Sequence, residues 1–510
     1  MRAELLLSGA AALAVLAGCT VGPNYKTPNV PMPAAYTEGL ATTRPAATTQ
    51  PVDLERWWRS LDDPELDSLV QRAIKNNLDL QIALDRLQEA RSIEDAVSGV
   101  ALPGADFSGS VARGTGTNST RSRVGGPLNA ATDTSGLREI TEVAGFDAGW
   151  ELDLFGRYRR ELEAAGYDTQ AAAEERNAVL IAVVSDVARA YLDTRTLQLR
   201  LAIAEHNIAT ELQTVNFVNA RLKQGIANQL DVALAVRELD TVKAEVAPLE
   251  AELAAAKRRV AVLLGLYPEQ LMAELDRPMA LPGTPAMIEP GLPVALLRRR
   301  PDILLAERQL AAATARIGVA TADLFPTVGV TAGMGLQGQG FGRSPNESSF
   351  IWSAGPEAYW PLLDFGTLDS LIEVQNYKAH EQLVNYKRTI LNAVEEVDDA
   401  MTNYRAAQER LQGLGDALAA SQQAFSLASQ RYDRGLTDFL NVLDAERQLY
   451  DLQDQYAVAQ EDVVLNFIAV YKGLGGGWED YQKIPPIRQP QPAIVAAFEQ
   501  LTGPDAAYKQ

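Results

Sequence analysis

Arg431-Tyr432-Asp433-Arg434-Gly435-Leu436-Thr437-Asp438-Phe439-Leu440-Asn441-Val442-Leu443-Asp444 reads as a tight turn between two long helices. Gly435 supplies the left-handed backbone that closes the first helix. Asp438 is placed to cap the second with its side-chain oxygen. A related stretch occurs earlier, Arg221-Leu222-Lys223-Gln224-Gly225-Ile226-Ala227-Asn228-Gln229-Leu230-Asp231-Val232. Arg221 and Arg431, Gly225 and Gly435, Leu230 and Leu440, and Val232 and Val442 all lie 210 positions apart. Two such turns, at 221–235 and 431–445, predict a duplicated helical hairpin.

The duplication extends outward. Asp63 and Pro64 predict a helix start, and the helix is expected to run to about Gly99. Asp79, Ala83 and Pro103 of this region recur as Asp302, Ala306 and Pro326, 223 positions later. Beyond the strands the offset is 210 again, as Trp150 and Trp360 show. The first strand hairpin is therefore 13 residues the longer, a surplus that falls in the Gly-, Ser- and Thr-rich loop 114–136.

Four segments alternate with period two: about 105–113, 140–154, 327–336 and 350–362. The second sets Phe146, Ala148, Trp150 and Leu152 against Asp147, Gly149, Glu151 and Asp153. Each run is near the 9–11 residues of a tilted membrane strand, with aromatics near its ends. A Phe-Gly pair follows each second strand, at 155–156 and 365–366. Helices without proline are then expected over 157–223 and 367–433, each about 100 Å long. Val183, Val187, Ala190, Leu197, Leu201 and Ala204 keep helical spacing, the mark of a packing seam. Return helices are expected over 228–265 and 438–474.

The 510 residues carry 47% apolar side chains and a net charge of −20. That charge argues against nucleic acid and fits an acidic surface or a cation-preferring aqueous path. A single cysteine excludes an intrachain disulfide and a cysteine-rich metal site. The two histidines, His206 and His380, stand alone on helical stretches. No catalytic string of the HExxH, P-loop or GxSxG kind is present, so no enzyme, cofactor or metal site is expected.

Residues 1–18 read as a secretory signal, with Arg2 ahead of an apolar run too short to span a bilayer. The run ends in Leu16-Ala17-Gly18-Cys19, which resembles a bacterial lipobox and marks Cys19 for lipid attachment. Residues 19–56 read as an extended tether with little structure of its own, and 479–510 as a loose tail. Between them lie two expected repeats, 57–285 and 286–478.

In lipid a sheet must close, because open edges leave backbone groups unpaired. Four strands cannot enclose a passage, and about eight is the practical minimum. Two, three or four copies would supply eight, twelve or sixteen. Long helices on the other side would continue the barrel as a tunnel into the periplasm.

This pattern resembles the outer membrane factor family, the outer-membrane channels of tripartite efflux pumps and type I secretion systems. The resemblance rests on Trp57-Trp58 with Asp63-Pro64, on Arg299-Arg300-Pro301-Asp302-Ile303 with Ala306-Glu307, and on Gly475-Gly476-Gly477-Trp478. It is closest to the lipid-anchored, TolC-like efflux channels. The fold implied is an α+β membrane protein of long helical hairpins and two-stranded β-hairpins. Three chains would share a twelve-stranded β-barrel continued by a periplasmic α-helical barrel. A homotrimer in the outer membrane is implied, with a periplasmic adaptor and an inner-membrane RND-type transporter as partners. The resemblance also implies a gate at Arg431, Tyr432, Leu440 and Asp444, and an adaptor-facing tip at Arg221, Leu222, Gly225, Asp231 and Gly435. Taken alone, Asp444 reads also as a solvated carboxylate and Arg431 as a C-terminal helix cation. A protein-secretion channel, a structural spacer lipoprotein without a passage and a self-sufficient porin are the alternatives. Conductance in planar bilayers separates the spacer from the channels.

Overall fold

The computed structural model describes residues 20–37, 54–113, 140–284, 293–339 and 350–479. The signal, Cys19, the loop 114–136 and the proline-rich end of the tail lie outside the described residues.

Helix α1 spans Pro64–Asn76 and α2 spans Leu78–Val100. The single helix expected from the sequence is thus broken at Asn77. Its backbone turns extended (φ −60°, ψ 132°), and its side chain accepts from the Leu80 N–H at 3.0 Å. The same side chain donates to the Leu263 carbonyl at 2.8 Å. An asparagine buried with both ends of its amide satisfied is a helix start that also ties down a neighbouring helix. Asp63 caps α1 as expected, accepting from the N–H groups of Glu65 and Leu66.

Strands β1 (Gly104–Arg113), β2 (Ile140–Leu152), β3 (Thr327–Gln339) and β4 (Phe350–Tyr359) form one antiparallel sheet in the order β1-β2-β3-β4. β2 stops two residues short of the expected end. The Asp153 carboxylate instead accepts from the backbone N–H groups of Tyr158 and Arg159, fixing the entry to the next helix. Pro356 sits in β4, an edge strand of the chain's own sheet, where a missing donor is tolerated.

Helices α3 (Arg157–Lys223) and α4 (Gln229–Leu263) form the first long hairpin. Helix α5 (Pro301–Ala322) leads into the second strand pair, and α6 (Thr367–Asp433) with α7 (Phe439–Gly473) forms the second hairpin. Both long helices have 67 residues and both return helices 35. The upper bundle packs in the sequence α2–α3–α5–α6, with α7 also against α3.

The three sequence marks meet at one node. Trp57 and Trp58 are almost fully buried, and Trp57 stacks on Tyr471 of α7 at 6.0 Å between ring centroids. Arg300 donates to the Gly473 carbonyl (2.7 Å), to Glu396 of α6 (2.7 Å) and to Asp302 (3.0 Å). Trp478 donates its indole N–H to the Arg299 carbonyl. Gly475 lies so close to the Arg300 side chain that an added Cβ would approach it to 3.0 Å.

Residues 20–37 of the tether are held along their length. Val21 N–H donates to the Phe155 carbonyl, and Arg160 reaches the carbonyls of Val21 and Gly22. Tyr25 and Thr27 both donate to Glu307, Thr37 donates to Asp398, and Tyr36 is buried. A segment without regular structure is thus tied to α3, α5 and α6 by specific hydrogen bonds, which composition alone does not reveal.

Candidate channel and gate

The sheet has two unlike faces. Phe107, Phe146, Met334 and Trp352 stand opposite one another across all four strands and all are exposed. On the other face Asp147 lies opposite Asp106 and Gly333, and Gly333 lies opposite Ser353. An exposed apolar row against a small, polar row is the pattern of a membrane strand with a lipid side and a lumen side. Trp150 and Trp360 each donate an indole N–H to a carbonyl at the end of a helix, Ala101 and Leu324 respectively. The pair is equivalent in the two repeats and sets amphipathic rings at the foot of the sheet. The outer edges of β1 and β4 have no strand beside them among the described residues.

The flanking helices leave apolar stripes in the same way. Leu371, Val374, Tyr377, Val384 and Leu391 are exposed along α6, and Leu78, Ile82 and Ile93 along α2. Among the described residues, no helix is long and apolar enough to cross a membrane. His206 and His380 stand exposed on α3 and α6.

Each long hairpin turns through a glycine with left-handed backbone, Gly225 at φ 73° and Gly435 at φ 70°. Ile226 N–H donates to the Arg221 carbonyl and Leu436 N–H to the Arg431 carbonyl, so the two turns close alike. They differ at the next cap. Asn228 and Asp231 form a reciprocal capping box, Asn228 accepting from the Asp231 N–H at 2.9 Å. Asp438, the cap expected from the sequence, makes no such bond. Asn441 at the equivalent of Asp231 turns its amide to the Thr437 hydroxyl instead (2.8 Å), so the reciprocal box does not form.

Between the turns lies a small apolar cluster of Val218, Val232, Ala235, Tyr432, Phe439, Val442 and Leu443. Tyr432 is buried inside it, 5.4 Å from the Phe439 ring. The Arg221 guanidinium lies 4.6 Å over the Tyr432 ring and 5.6 Å over Phe217, and donates to the Asp433 carbonyl at 3.1 Å. Arg221 and Tyr432 are therefore brought together, across the two repeats. Arg431, Leu440 and Asp444 are exposed, with Gln448 donating to Asp444 at 3.0 Å. Leu222 packs half-buried against the cluster. Ile226, Leu230, Leu436 and Leu440 present apolar side chains to solvent, two per turn. Phe217 and Phe439 were not singled out by sequence reading. Their only signal was helical spacing beside the turn.

A two-faced sheet continued by paired helices far longer than a bilayer is thick defines an outer-membrane channel protein. Residues 69–266 and 292–476 match the profile described as outer membrane efflux protein. The chain belongs to that family. It is 30% identical over 469 residues to nodulation protein T of Rhizobium leguminosarum bv. trifolii, covering 92% of this chain and 97% of the relative. It is 31% identical to a probable efflux pump outer membrane protein, SepC, of Pseudomonas putida, covering 92% and 96%. Among solved structures, the outer-membrane channel OprN superposes with a TM-score of 0.79 at 35% identity, over 90% of this chain and 100% of that one. CusC superposes with a TM-score of 0.75 at 26% identity, over 90% and 100%. The chain is an outer-membrane component of an efflux system, its long helices lying on the periplasmic side.

Proposed function

We propose that three chains form a passive duct for small molecules, closed at rest by the second turn of each chain and anchored by a lipid on Cys19. The observation that carries the gate reading is the pairing at the far end of the long hairpins. Arg221 and the buried ring of Tyr432 hold the second turn against the first, while Arg431, Leu440 and Asp444 remain free to face the axis. In this reading Tyr432 anchors the gate and the other three line it. Leu222, Gly225, Asp231 and Gly435 shape the tip that meets the adaptor. Repeats 57–285 and 286–478 each supply one hairpin. The duct performs no chemistry of its own. Its cargo is set by the pump: relatives include a toluene efflux protein, TtgF, and a cation efflux protein, CusC, on one scaffold.

Three copies of Asp444 around one axis would attract cations and repel anions. Asp444→Ala is expected to lower cation-over-anion permeability about severalfold in single-channel recordings on the purified trimer. An unchanged reversal potential places the constriction elsewhere.

The anchor reading is supported by the strap. Thr20 packs against Gly156 and Val21 bonds to Phe155, at the foot of the sheet where a lipid on the preceding residue would enter the membrane. One acyl chain alone gives marginal anchorage, whereas several give a lasting one. Cys19→Ala is expected to abolish incorporation of labelled fatty acid, and label retained by the variant defeats the assignment. Membrane association should partly survive, because the shared barrel also holds the trimer.

A further inference from the structure

Two glutamates meet where carboxylates are least expected. Glu211 of α3 and Glu446 of α7 are both fully buried, one helical turn above the apolar cluster of the tips. They come from different repeats and their carboxyl groups lie within hydrogen-bonding reach of each other. Tyr450 donates its hydroxyl to Oε1 of Glu446 at 3.1 Å. The same hydroxyl also lies within reach of Glu211, but it has one proton for the two acids, so one carboxyl is left without a donor.

Two ionised carboxylates in contact at a buried site repel, and a single phenol hydroxyl compensates only one of them. One shared proton removes both penalties. It neutralises one acid and supplies the donor that the contact lacks. Burial, then the neighbouring Glu446, push the Glu211 carboxyl up to about 8. Burial raises Glu446 too.

The surrounding charges offset the pair only in part: Arg447 acts on Glu211 from a distance, but its guanidinium is bonded to another carboxylate. From α4, Glu238 approaches, but it is taken by Arg447, whose Nε lies at 2.7 Å. Glu245 of α4 lies higher, among Asp451 and Asp454 of α7. Asp444 and Arg447 of α7 lie on the tip side of Tyr450. Helix α6 brings Phe425 and Ala428 to the cluster below. No group of three acidic, histidine or cysteine side chains able to hold a metal occurs among the described residues. Higher on the same α3–α7 seam, Arg200 pairs with Asp454 at 2.6 Å, and Asp193 meets Glu461 in a second, more exposed acid–acid contact.

We infer that Glu211 and Glu446 share one proton and form a pH-sensitive tie between the two long hairpins, just above the gate. Below the ordinary glutamate range both acids are protonated in the folded and unfolded chain alike, and the tie is complete. As pH rises the unfolded chain releases its protons first, so the stabilising contribution falls. It is lost once pH passes the raised value of the folded pair. The released proton goes to solvent, and the two carboxylates then push α3 and α7 apart. This places a release for the second hairpin in the body of the helical tube. It rests on the reading of that hairpin as the moving part, though neither measurement below passes through conductance.

The test uses the full-length trimer in detergent. Infrared difference spectra between wild type and Glu446→Gln are expected to show a protonated carboxyl band at about pH 7 that disappears by about pH 9. Amide hydrogen exchange, corrected for its intrinsic pH dependence, is expected to become about tenfold faster over 205–223 and 439–452 across that interval. In Glu211→Gln/Glu446→Gln, where the amides keep a hydrogen bond and have no proton to lose, that acceleration should vanish. Absence of the band at neutral pH overturns the shared proton. The same acceleration in the double variant overturns the tie. If conductance proves insensitive to Asp444 while band and exchange behave as stated, the gate reading fails and the proton-dependent tie stands.

Discussion

Arg300→Ala is expected to lower the apparent melting temperature of the trimer more than any other single polar substitution in the upper bundle. Arg300 is only 8% exposed, and its guanidinium satisfies three groups at once. Its loss leaves the Gly473 carbonyl buried without a donor, which costs about 1–3 kcal/mol. It also unties α6 from the start of α5, because Glu396 loses its partner. Glu396 is itself partly solvated, so its share is discounted, and a total near 3 kcal/mol is expected. Arg300→Lys should recover only part of this, since an ammonium cannot reproduce the planar fork that reaches Gly473, Glu396 and Asp302 together. Thermal unfolding followed by circular dichroism, with trimer retention on mild gels, reads both variants. Wild-type melting of Arg300→Ala would show that the node is held by Trp57 and Tyr471 alone.

Tyr432→Ala should open the resting channel. Removing a buried aromatic from a core costs about 3–5 kcal/mol, and in the proposed gate this small cluster is what holds the tip closed. Each 1.4 kcal/mol withdrawn from a closed state raises the open fraction about tenfold. Arg221→Ala acts on the same contact from the other repeat, by removing the cation over the ring and the bond to Asp433. Its effect should be about 1–2 kcal/mol. Tyr432→Phe should be nearly silent, because the hydroxyl has no hydrogen-bond partner among the described residues. Single-channel conductance of the three variants in planar bilayers ranks them. If Tyr432→Phe opens the channel as widely as Tyr432→Ala, the hydroxyl has a role that the ring packing does not explain.

The fold was legible because its signals are long. Proline-free stripes fix α3 and α6 to the residue, and period-two runs fix four strands within a few positions. The repeats check each other, as when Trp150 and Trp360 make the same bond at the foot of the sheet. The misses are local. Lys75-Asn76-Asn77-Leu78 carries no breaker as strong as proline, and Asn77 ends α1 by capping α2 while its amide takes the Leu263 carbonyl of α4. Asp438 has the right residue type for a cap, but Asn441 three positions on bonds elsewhere. At the second turn, Tyr432 and Arg431 are neighbours in sequence and face opposite ways, one inward and one to solvent. Glu211 and Glu446 carry no signal of their own in the sequence, because the burial of each depends on a helix 235 residues away.

The equal helices impose a rule on length. With 67 residues descending and 35 returning in both hairpins, the two turns of each chain end at one depth, and in a trimer six turns share one plane. Removing two helical turns from one hairpin alone would retract three of the six by about 11 Å and leave a crown with alternating long and short teeth. The same removal from both hairpins keeps the rim flat and only shortens the reach. Insertions and deletions in these helices are therefore tolerated in matched pairs, and the depth of the tube is a quantity that the two halves of the chain can change only together.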